Sequence, residues 1–387
     1  MKLGKICFYT AIFICLISAL VCWLVPFDEI FNVPDEVIVN NNTLHNEAKS
    51  NFGSLVTTRY NEKSDTVDFL LFDTVKIHSV NAINVGDKVY LGGDTLGFSY
   101  NGEGVLVIAK GENADDNIMA GDIIKSINGT EIDSVNKITE ILNKNEENNF
   151  EVTAKIVRKG NNIETKLKPA YDTYTKKYKL GIWAKESMSG IGTLTFIDPN
   201  TGRFGALGHP ILEPSTNTIL DVGEGKVHKC CVLGVKRAIR GNPGELKGVF
   251  VRSKQEMGTV DKNCAYGMYG NLNLENKMFQ DKQLIEVGGR LTAHPGKAQI
   301  YSSLDGKTIR AYDIEIIKTN FQSAQSPKNL IFKVTDNRLI ETTGGIVQGM
   351  SGSPIVQDGK LIGAVTHVFV NDATKGFGIY IDNMIQQ

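Results

Sequence analysis

Residues 349–365 read GMSGSPIVQDGKLIGAV, and this stretch decides how the rest of the chain is interpreted. Ser351 lies between glycines, which allow a tight turn and point successive backbone N–H groups at one place. We therefore predict that the N–H groups of Gly349 and Ser351 form an oxyanion hole beside the Ser351 hydroxyl. A turn at 357–359 then leads into an apolar strand at 361–365. A nucleophile loop followed by a hairpin predicts a chymotrypsin-type serine protease, and a Gly/Ser-rich turn between strands is the alternative.

A histidine base is the second requirement of such a site, because the serine hydroxyl must lose its proton as it attacks. The sequence has six histidines. His209 lies in a loop of small residues, FGALGHPI at 204–211, directly after a β-type run, and it is the predicted base. His367 lies one strand beyond Ser351 and is the alternative base; otherwise it lines the substrate pocket or has a structural role.

Two long, separated motifs carry a resemblance to a known family. The segment 193–211, which ends in GALGHPI, and the segments GMSGSP at 349–354 and GAVTHVFVND at 363–372 are similar to those of the SpoIVB peptidases. These are the stage IV sporulation protein B serine peptidases of endospore-forming bacteria. The resemblance runs from the N-terminal apolar segment, through a PDZ domain, to the C-terminus. It implies a membrane-anchored serine endopeptidase that cleaves itself and works without a cofactor.

The resemblance also implies a substrate and a location. The substrate would be a membrane-bound sporulation regulator in the space between mother cell and forespore, with the peptidase held in the forespore membrane. Its cleavage would release an intramembrane protease that processes pro-sigma-K.

The resemblance assigns His209 as base and Ser351 as nucleophile, and it points to Asp336 as the acid that holds the tautomer of the histidine. Asp336 ends a β-type run 15 residues before the serine (351 − 336 = 15). This spacing departs from the chymotrypsin-type layout, in which the acid lies well before the serine. Asp198 and Asp313 are the alternative acids, and a strand-end turn is the alternative role of Asp336.

Composition limits the function. The chain has 387 residues and 41% hydrophobic residues, which predicts two domains and an anchor. The formal net charge of −1 gives no electrostatic basis for binding nucleic acid. Cys230, Cys231 and Cys264 show neither CxxC nor zinc spacing, so no metal site is predicted. Free buried thiols are expected, and one disulfide between Cys264 and either Cys230 or Cys231 is the alternative.

The N-terminus predicts export. Lys2 and Lys5 precede an apolar run at 6–27 that is long enough to span a bilayer, and the positive flank places the body on the far side. Residues 1–27 are therefore predicted to be an uncleaved signal anchor, with a cleaved signal peptide as the alternative. Residues 28–85 are predicted to be a polar linker with short β segments.

Residues 86–172 are predicted to form a PDZ domain. The segment AGDIIKSINGTEI at 120–132 combines a Gly-Asp turn, core isoleucines and an Asn-Gly hairpin turn. Ser134 is predicted to cap a helix over 135–143. In PDZ domains such a helix and a strand form a groove that takes a peptide by strand addition.

The peptide-binding loop of this PDZ domain is predicted at Leu96, Gly97 and Phe98. A hydrophobic-Gly-hydrophobic loop binds a peptide C-terminus through its backbone N–H groups. The predicted partners are therefore peptide C-termini or the N-terminal segment of the chain itself, in addition to the protein substrate and the membrane.

Residues 173–387 contain many short β-type runs separated by Gly, Asp and Asn turns, which predicts a pair of β-barrels. The predicted fold class is mainly β: an N-terminal transmembrane helix, a PDZ domain, and a chymotrypsin-like double β-barrel peptidase domain.

Two other functions compete with the peptidase. One is a non-catalytic PDZ adaptor with a protease-like scaffold. The other is an envelope quality-control protease of the HtrA type, against which the order of the domains counts.

Overall fold

The chain is mainly β in the computed structural model, which describes residues 2–25, 27–31, 33–39, 48–49, 55–84, 88–144, 150–158, 160–212, 219, 224–251, 257–320 and 326–387. The helices are α1 (Lys2–Leu24), α2 (Phe27–Phe31), α3 (Val135–Asn143), α4 (Lys277–Gln280), α5 (Asn337–Thr343) and α6 (Ile381–Ile385). In the part of the chain searched, no helix is both long and apolar enough to cross a membrane. The signal anchor over residues 1–27 stays a prediction.

The strands of the first half are β1 (Glu36–Val39), β2 (Ala48–Lys49), β3 (Val56–Asn61), β4 (Thr66–Leu71), β5 (Val75–Asn84), β6 (Lys88–Leu91), β7 (Thr95–Lys110), β8 (Ile123–Ile127), β9 (Thr130–Glu131), β10 (Val152–Arg158), β11 (Asn161–Leu167), β12 (Ala170–Asp172) and β13 (Lys177–Lys179). Those of the second half are β14 (Ile182–Ile197), β15 (Arg203–Ala206), β16 (Glu224–Lys236), β17 (Glu245–Val251), β18 (Gly258–Cys264), β19 (Gly267–Leu272), β20 (Leu284–Val287), β21 (Gly296–Ser302), β22 (Arg310–Thr319), β23 (Leu330–Val334), β24 (Pro354–Gln357), β25 (Lys360–Phe369) and β26 (Asp372–Tyr380).

Two closed rings of strands form the peptidase part. Strands β7, β14, β15, β19, β18 and β16 pair in that order, and β16 returns to β7. Strands β21, β22, β23, β26, β25 and β24 pair likewise, and β24 returns to β21. Closure removes the exposed edges that an open sheet would leave. The prediction of a double β-barrel is confirmed by these pairings.

Each barrel has its own apolar core. Leu96, Leu194 and Phe204 are among the buried residues of the first barrel, and Ile314 and Phe332 are among those of the second. In both barrels, alternate residues of neighbouring strands face inward, as the period of two in a β-strand requires.

A five-stranded sheet precedes the barrels and corrects the prediction of a linker over residues 28–85. Strands β1–β5 pair in the order β1-β5-β4-β3-β2, and Val37, Val67 and Phe69 lie in a buried core on this sheet. Residues 66–69 of β4 alternate between polar and apolar, a pattern typical of a strand with one buried face. Ile38 packs into a core shared with the barrels, so the sheet docks on the peptidase part. The Asn-rich segment 40–47 lies outside the described residues.

The α3 unit comprises α3, strands β8–β13, the second half of β7 and the start of β14. Ile124, Ile138 and Leu142 lie in its core. Ser134 caps α3 as predicted, since its side chain accepts a hydrogen bond from the Lys137 N–H.

Leu96, Gly97 and Phe98 do not form a peptide-binding loop, and that prediction is wrong. They lie in the first half of β7, between β14 and β16, and Gly97 is opposite Ile191 on one side and His228 on the other. Leu96 and Phe98 point into the first barrel. Because strands flank β7 on both sides, its N–H groups there are used within the sheet.

The α3 unit and the first barrel share strands, so the predicted boundaries at residues 86 and 172 do not separate them. The first half of β7 pairs within the barrel, and its second half pairs with β8 at Val105 and Leu106. Strand β14 follows β7 through both parts. Strand β6, placed in the PDZ domain by the sequence, pairs with β14 and β20.

A second hydrophobic-Gly-hydrophobic segment occurs at Leu180-Gly181-Ile182, where β14 begins beside α3. Leu180 is buried in the core of the α3 unit, and Gly181 has φ +68°, a value that favours glycine. The side chain of Asn143, the last residue of α3, bonds both the N–H and the carbonyl of Tyr178, at 2.9 and 3.1 Å. At residues 182–185, β14 pairs with β7 on one edge, and no strand of the described residues pairs with its other edge.

The new position of Gly97 predicts a stability effect. A Cβ at Gly97 would lie 2.3 Å from the ring of Phe250, so Gly97→Ala is expected to destabilise the chain by about 1–3 kcal/mol through overpacking. Urea unfolding measures this loss. Gly234→Ala is the control, because nothing lies within 4 Å of its added Cβ. If Gly97→Ala were as stable as wild type, the packed position of Gly97 in the barrel would be contradicted, and an exposed loop would be favoured.

Candidate active site

One cavity of about 410 Å³ is lined by residues of both barrels. His209 and Ser351 both line it, and so does Gly349. The structure therefore brings together a predicted base and a predicted nucleophile that are 142 residues apart in the sequence (351 − 209 = 142). His367 lines the same cavity.

His209 is held by its own loop. Leu207 and Gly208, which precede it after β15, both have positive φ, 69° and 68°. A left-handed conformation is uncommon for leucine and marks a position fixed by its surroundings. The Nδ1 atom of His209 lies 2.9 Å from the carbonyl oxygen of Pro210. An Nδ1–H that donates to this carbonyl leaves Nε2 unprotonated, the tautomer that a general base requires.

Burial lowers the pKa of His209, with a smaller opposing contribution from the hydrogen bond to the Pro210 carbonyl. Loss of water disfavours the charged imidazolium, so the neutral form dominates at pH 7. His209 is therefore able to accept a proton without first losing one.

The Ser351 hydroxyl bonds a backbone carbonyl in this structure, and among the described residues no hydrogen bond joins it to His209. Its Oγ donates a hydrogen bond of 2.9 Å to the carbonyl oxygen of Thr366. The hydroxyl would have to leave this carbonyl to donate to the histidine. Hydrogen bonds at catalytic serines are often misaligned without substrate, so this geometry is compatible with the base role of His209.

The backbone amides around Ser351 fall into two groups. The N–H groups of Gln348, Met350, Gly352 and Ser353 each donate to a backbone carbonyl. Those of Gly349 and Ser351 donate to no backbone carbonyl of the described residues. Gly349 has φ +98°, which only glycine adopts easily. Two free amides beside a nucleophile are what an oxyanion hole requires.

His367 lies close to His209, with ring centroids 5.1 Å apart and an interplanar angle of 42°. Its Nδ1 atom is buried and has no hydrogen-bond partner in the described part of the chain. Burial, helped by the nearby His209 and Lys328, lowers the pKa of His367 to about 4. His367 is thus also neutral at pH 7.

Asp336 is a helix cap in this structure. Its carboxylate accepts hydrogen bonds from the N–H groups of Arg338 and Leu339, so it is the N-cap of α5. The Arg338 guanidinium adds an ion pair at 2.6 Å. Within the described chain, no hydrogen bond joins Asp336 to His209, whose Nδ1 faces the Pro210 carbonyl instead. The role of Asp336 as the acid of a triad therefore stays a prediction that no contact in this structure supports.

The alternative acids are also engaged elsewhere. Asp198 accepts hydrogen bonds from the N–H groups of Asn200 and Thr201 in a turn, and Asp313 accepts one from the side chain of Gln299. Separately, the cysteines at 230, 231 and 264 are free thiols, of which Cys230 is buried as expected and the other two are half-buried.

Thr193 is a site residue whose role the sequence did not show. Its N–H donates to the carbonyl of Ser351 at 2.8 Å, and its hydroxyl donates to the carbonyl of Gly349 at 2.7 Å. Gly349 and Ser351, the two loop residues whose N–H groups are free, are thus fixed to β14. The one signal in the sequence was that Thr193 begins the motif that ends at residue 211.

A serine nucleophile, a neutral histidine and two free amides on one cavity between paired β-barrels define a serine peptidase. Residues 176–385, more than half of the chain, match the model of the SpoIVB peptidase S55 family. The chain belongs to this family.

Solved structures to which the chain is similar include two of one protease. The Rv3671c protease of M. tuberculosis in its active form is 13% identical, covers 50% of this chain and 70% of that chain, and has a TM-score of 0.28. Its inactive form is 12% identical, covers 49% of this chain and 78% of that chain, and has a TM-score of 0.28. The PDZ domain of the SdrC-like protein of Listeria monocytogenes is 21% identical, covers 21% of this chain and 87% of that chain, and has a TM-score of 0.20. No curated protein matches the chain.

The cap role of Asp336 predicts a pH-dependent stability effect. Hydrogen bonds from Arg338, opposed by burial, lower the pKa of Asp336 to about 2. A carboxyl with a depressed pKa stabilises the folded state above its unfolded pKa of about 4, and this contribution is lost as the pH falls to about 2. Asp336→Ala should therefore destabilise the chain by about 1–2 kcal/mol at pH 7 and by less below pH 4, as measured by denaturant unfolding.

Glu341→Ala is the control for Asp336→Ala, because Glu341 is an exposed carboxylate within the same helix, α5. A result against the cap role would be unchanged stability of Asp336→Ala together with a loss of about 10⁴-fold in the reactivity of Ser351.

The two histidines predict a pH profile. A base acts when unprotonated, so the lowered pKa of His209 should keep Ser351 reactive toward a fluorophosphonate probe below pH 6.5, with the loss at lower pH. Because His209 and not His367 is the predicted base, His367→Gln should leave the midpoint in place. A midpoint that moves with His367→Gln would make His367 the base.

Proposed function

We propose that Ser351 is the nucleophile and His209 the general base of peptide-bond hydrolysis by acyl transfer. The observation that supports this assignment most directly is that both side chains line one cavity beside the free N–H groups of Gly349 and Ser351. The carbonyl of Pro210 takes the place that a carboxylate has in a triad, because it accepts from Nδ1 and fixes the tautomer.

The reaction begins when the Ser351 hydroxyl turns from the Thr366 carbonyl to Nε2 of His209. Its oxygen attacks the scissile carbonyl carbon while the proton passes to Nε2, and the two free amides bind the oxyanion. The imidazolium then protonates the leaving amine as the C–N bond breaks. Water, deprotonated by His209, hydrolyses the ester, and the proton returns to the serine.

The proposed substrate and location are those expected for a member of this family. We propose that the substrate is a membrane-bound sporulation regulator whose cleavage leads to processing of pro-sigma-K, and that the chain also cleaves itself. Lys2, Lys5 and the apolar run at 6–27 support a membrane anchor with the body exported. Recovery of the chain in the soluble fraction after membrane sedimentation, with its N-terminus intact, would contradict the anchor.

The α3 unit is proposed to bind an extended peptide with a free C-terminus, as a PDZ domain does. The open edge of β14 at 182–185, next to α3, supplies unpaired backbone groups for strand addition. The segment Leu180-Gly181-Ile182 replaces residues 96–98 as the loop that would bind the carboxylate. Equal binding of a C-terminal peptide library and its amidated copies would contradict this assignment.

The roles of the two residues are tested by labelling with a fluorophosphonate probe and by self-cleavage. Wild type should be labelled at Ser351. Ser351→Ala should abolish both readouts, and His209→Ala should lower them by about 10⁴–10⁶-fold. Ser353→Ala is the matched control, because the buried Ser353 hydroxyl has no hydrogen-bond partner among the described residues and should be dispensable.

Wild type that stays unlabelled, even with a C-terminal peptide added, would favour a non-catalytic adaptor. Indiscriminate degradation of unfolded casein would favour a quality-control protease.

A further inference from the structure

The wall of the active-site cavity is apolar. Ile191, Ile211 and Val368 are half-buried on it, so their side chains are partly open to the cavity. Leu207 and Val347 also line it and are buried. Such a lining stabilises an apolar side chain by removing it from water.

The described lining residues carry no fixed charge. None of them is Asp, Glu, Lys or Arg, and the two histidines are neutral at pH 7. Lys328 acts on His367 but is not one of these lining residues. A charged side chain that enters would lose its hydration without gaining a counter-charge from the described lining, which costs several times what burial of an apolar group gains.

The backbone beside the cavity orients a peptide. At His367 and Val368, β25 pairs with β26 on one edge. In the described chain no strand pairs with its other edge at these residues, and both residues line the cavity. An extended substrate that adds to this free edge would place alternate side chains on the apolar wall.

We propose that this cavity selects peptide bonds preceded by an uncharged apolar residue of the size of valine, leucine or phenylalanine. This inference rests on the proposed peptidase chemistry at Ser351. The volume of about 410 Å³ is within the range of small-molecule pockets, so it is large enough for one such side chain and the scissile bond.

The test uses peptidyl diphenyl phosphonates, which react with an active serine without needing turnover. The full chain is treated with reagents that carry Val, Leu, Phe, Ala, Lys or Asp next to the phosphorus, and the labelling rate of Ser351 is measured by mass spectrometry. The Val, Leu and Phe reagents should react at least about 10-fold faster than Ala and about 100-fold faster than Lys or Asp. A Lys or Asp reagent that reacts as fast as Leu would overturn the proposal.

A small fluorophosphonate without such a side chain separates this proposal from the peptidase assignment. If this probe labels Ser351 but the phosphonates show no apolar preference, only the selectivity is wrong. If the probe itself fails to label Ser351, the peptidase assignment fails first.

Charge placed on the wall provides a second arm. Ile191→Asp should raise the labelling rate of the Lys reagent about 10-fold and lower that of Leu, because the new carboxylate pairs with the ammonium group. Val368→Asp is the equivalent change if Ile191→Asp fails to fold. Ile317→Asp, at an exposed position away from the cavity, is the matched control and should leave the preference unchanged. An unaltered preference in both wall variants would overturn the proposal.

Discussion

The attachment of the nucleophile loop to strand β14 is the constraint on which the active site depends. Thr193 bonds the carbonyls of Ser351 and Gly349, and Thr195 bonds that of Gly352 at 2.7 Å. A Cβ on Gly352 would lie 2.0 Å from the Thr193 carbonyl, so the loop approaches the strand as closely as its backbone allows. These bonds hold Gly349 and Ser351 in place on the cavity, and their free N–H groups are thereby pre-organised for a developing negative charge.

Burial of the two histidines gives the site its electrostatic character. Neither ring has a carboxylate partner in the described chain, and burial lowers the pKa of both. The site therefore differs from a Ser-His-Asp triad in what stabilises the imidazolium. A backbone carbonyl at Nδ1 fixes the tautomer, but as a dipole it offsets less of the positive charge than a carboxylate does. The oxyanion formed next to His209 would supply the remaining compensation during the reaction.

The sequence predicted the elements whose function depends on local pattern. The nucleophile loop, the His209 loop, the double barrel and the capped helix α3 all follow from short motifs or from strand periodicity. It did not predict which elements pair over long distances. Leu96-Gly97-Phe98 and Leu180-Gly181-Ile182 share one pattern, and only the pairing of β7 with β14 and β16 shows that the first lies inside a barrel.

Asp336 shows that the contacts of a side chain are as hard to predict from the sequence as the pairing of distant strands. The resemblance to the family pointed to Asp336 as the catalytic acid, but the orientation of α5 decides which groups its carboxylate meets. A carboxylate at the start of a helix finds the N–H groups of the first turn within reach, and these satisfy it locally. Local hydrogen bonds of this kind leave no trace in the sequence beyond an Asp before a helical segment, which Asp336 shares with many residues that have no catalytic role.

Strand β14 also joins the two functional surfaces of the chain. Its first residues border the open edge beside α3, its middle residue Ile191 lines the active-site cavity, and Thr193 holds the nucleophile loop. Between these parts the ladder with β7 shifts register at Lys185–Ser187. A bulge lets a strand bend without breaking the pairing on either side. A peptide added to the first segment would lengthen the sheet there, and the same strand carries Thr193, which bonds the carbonyls of Gly349 and Ser351.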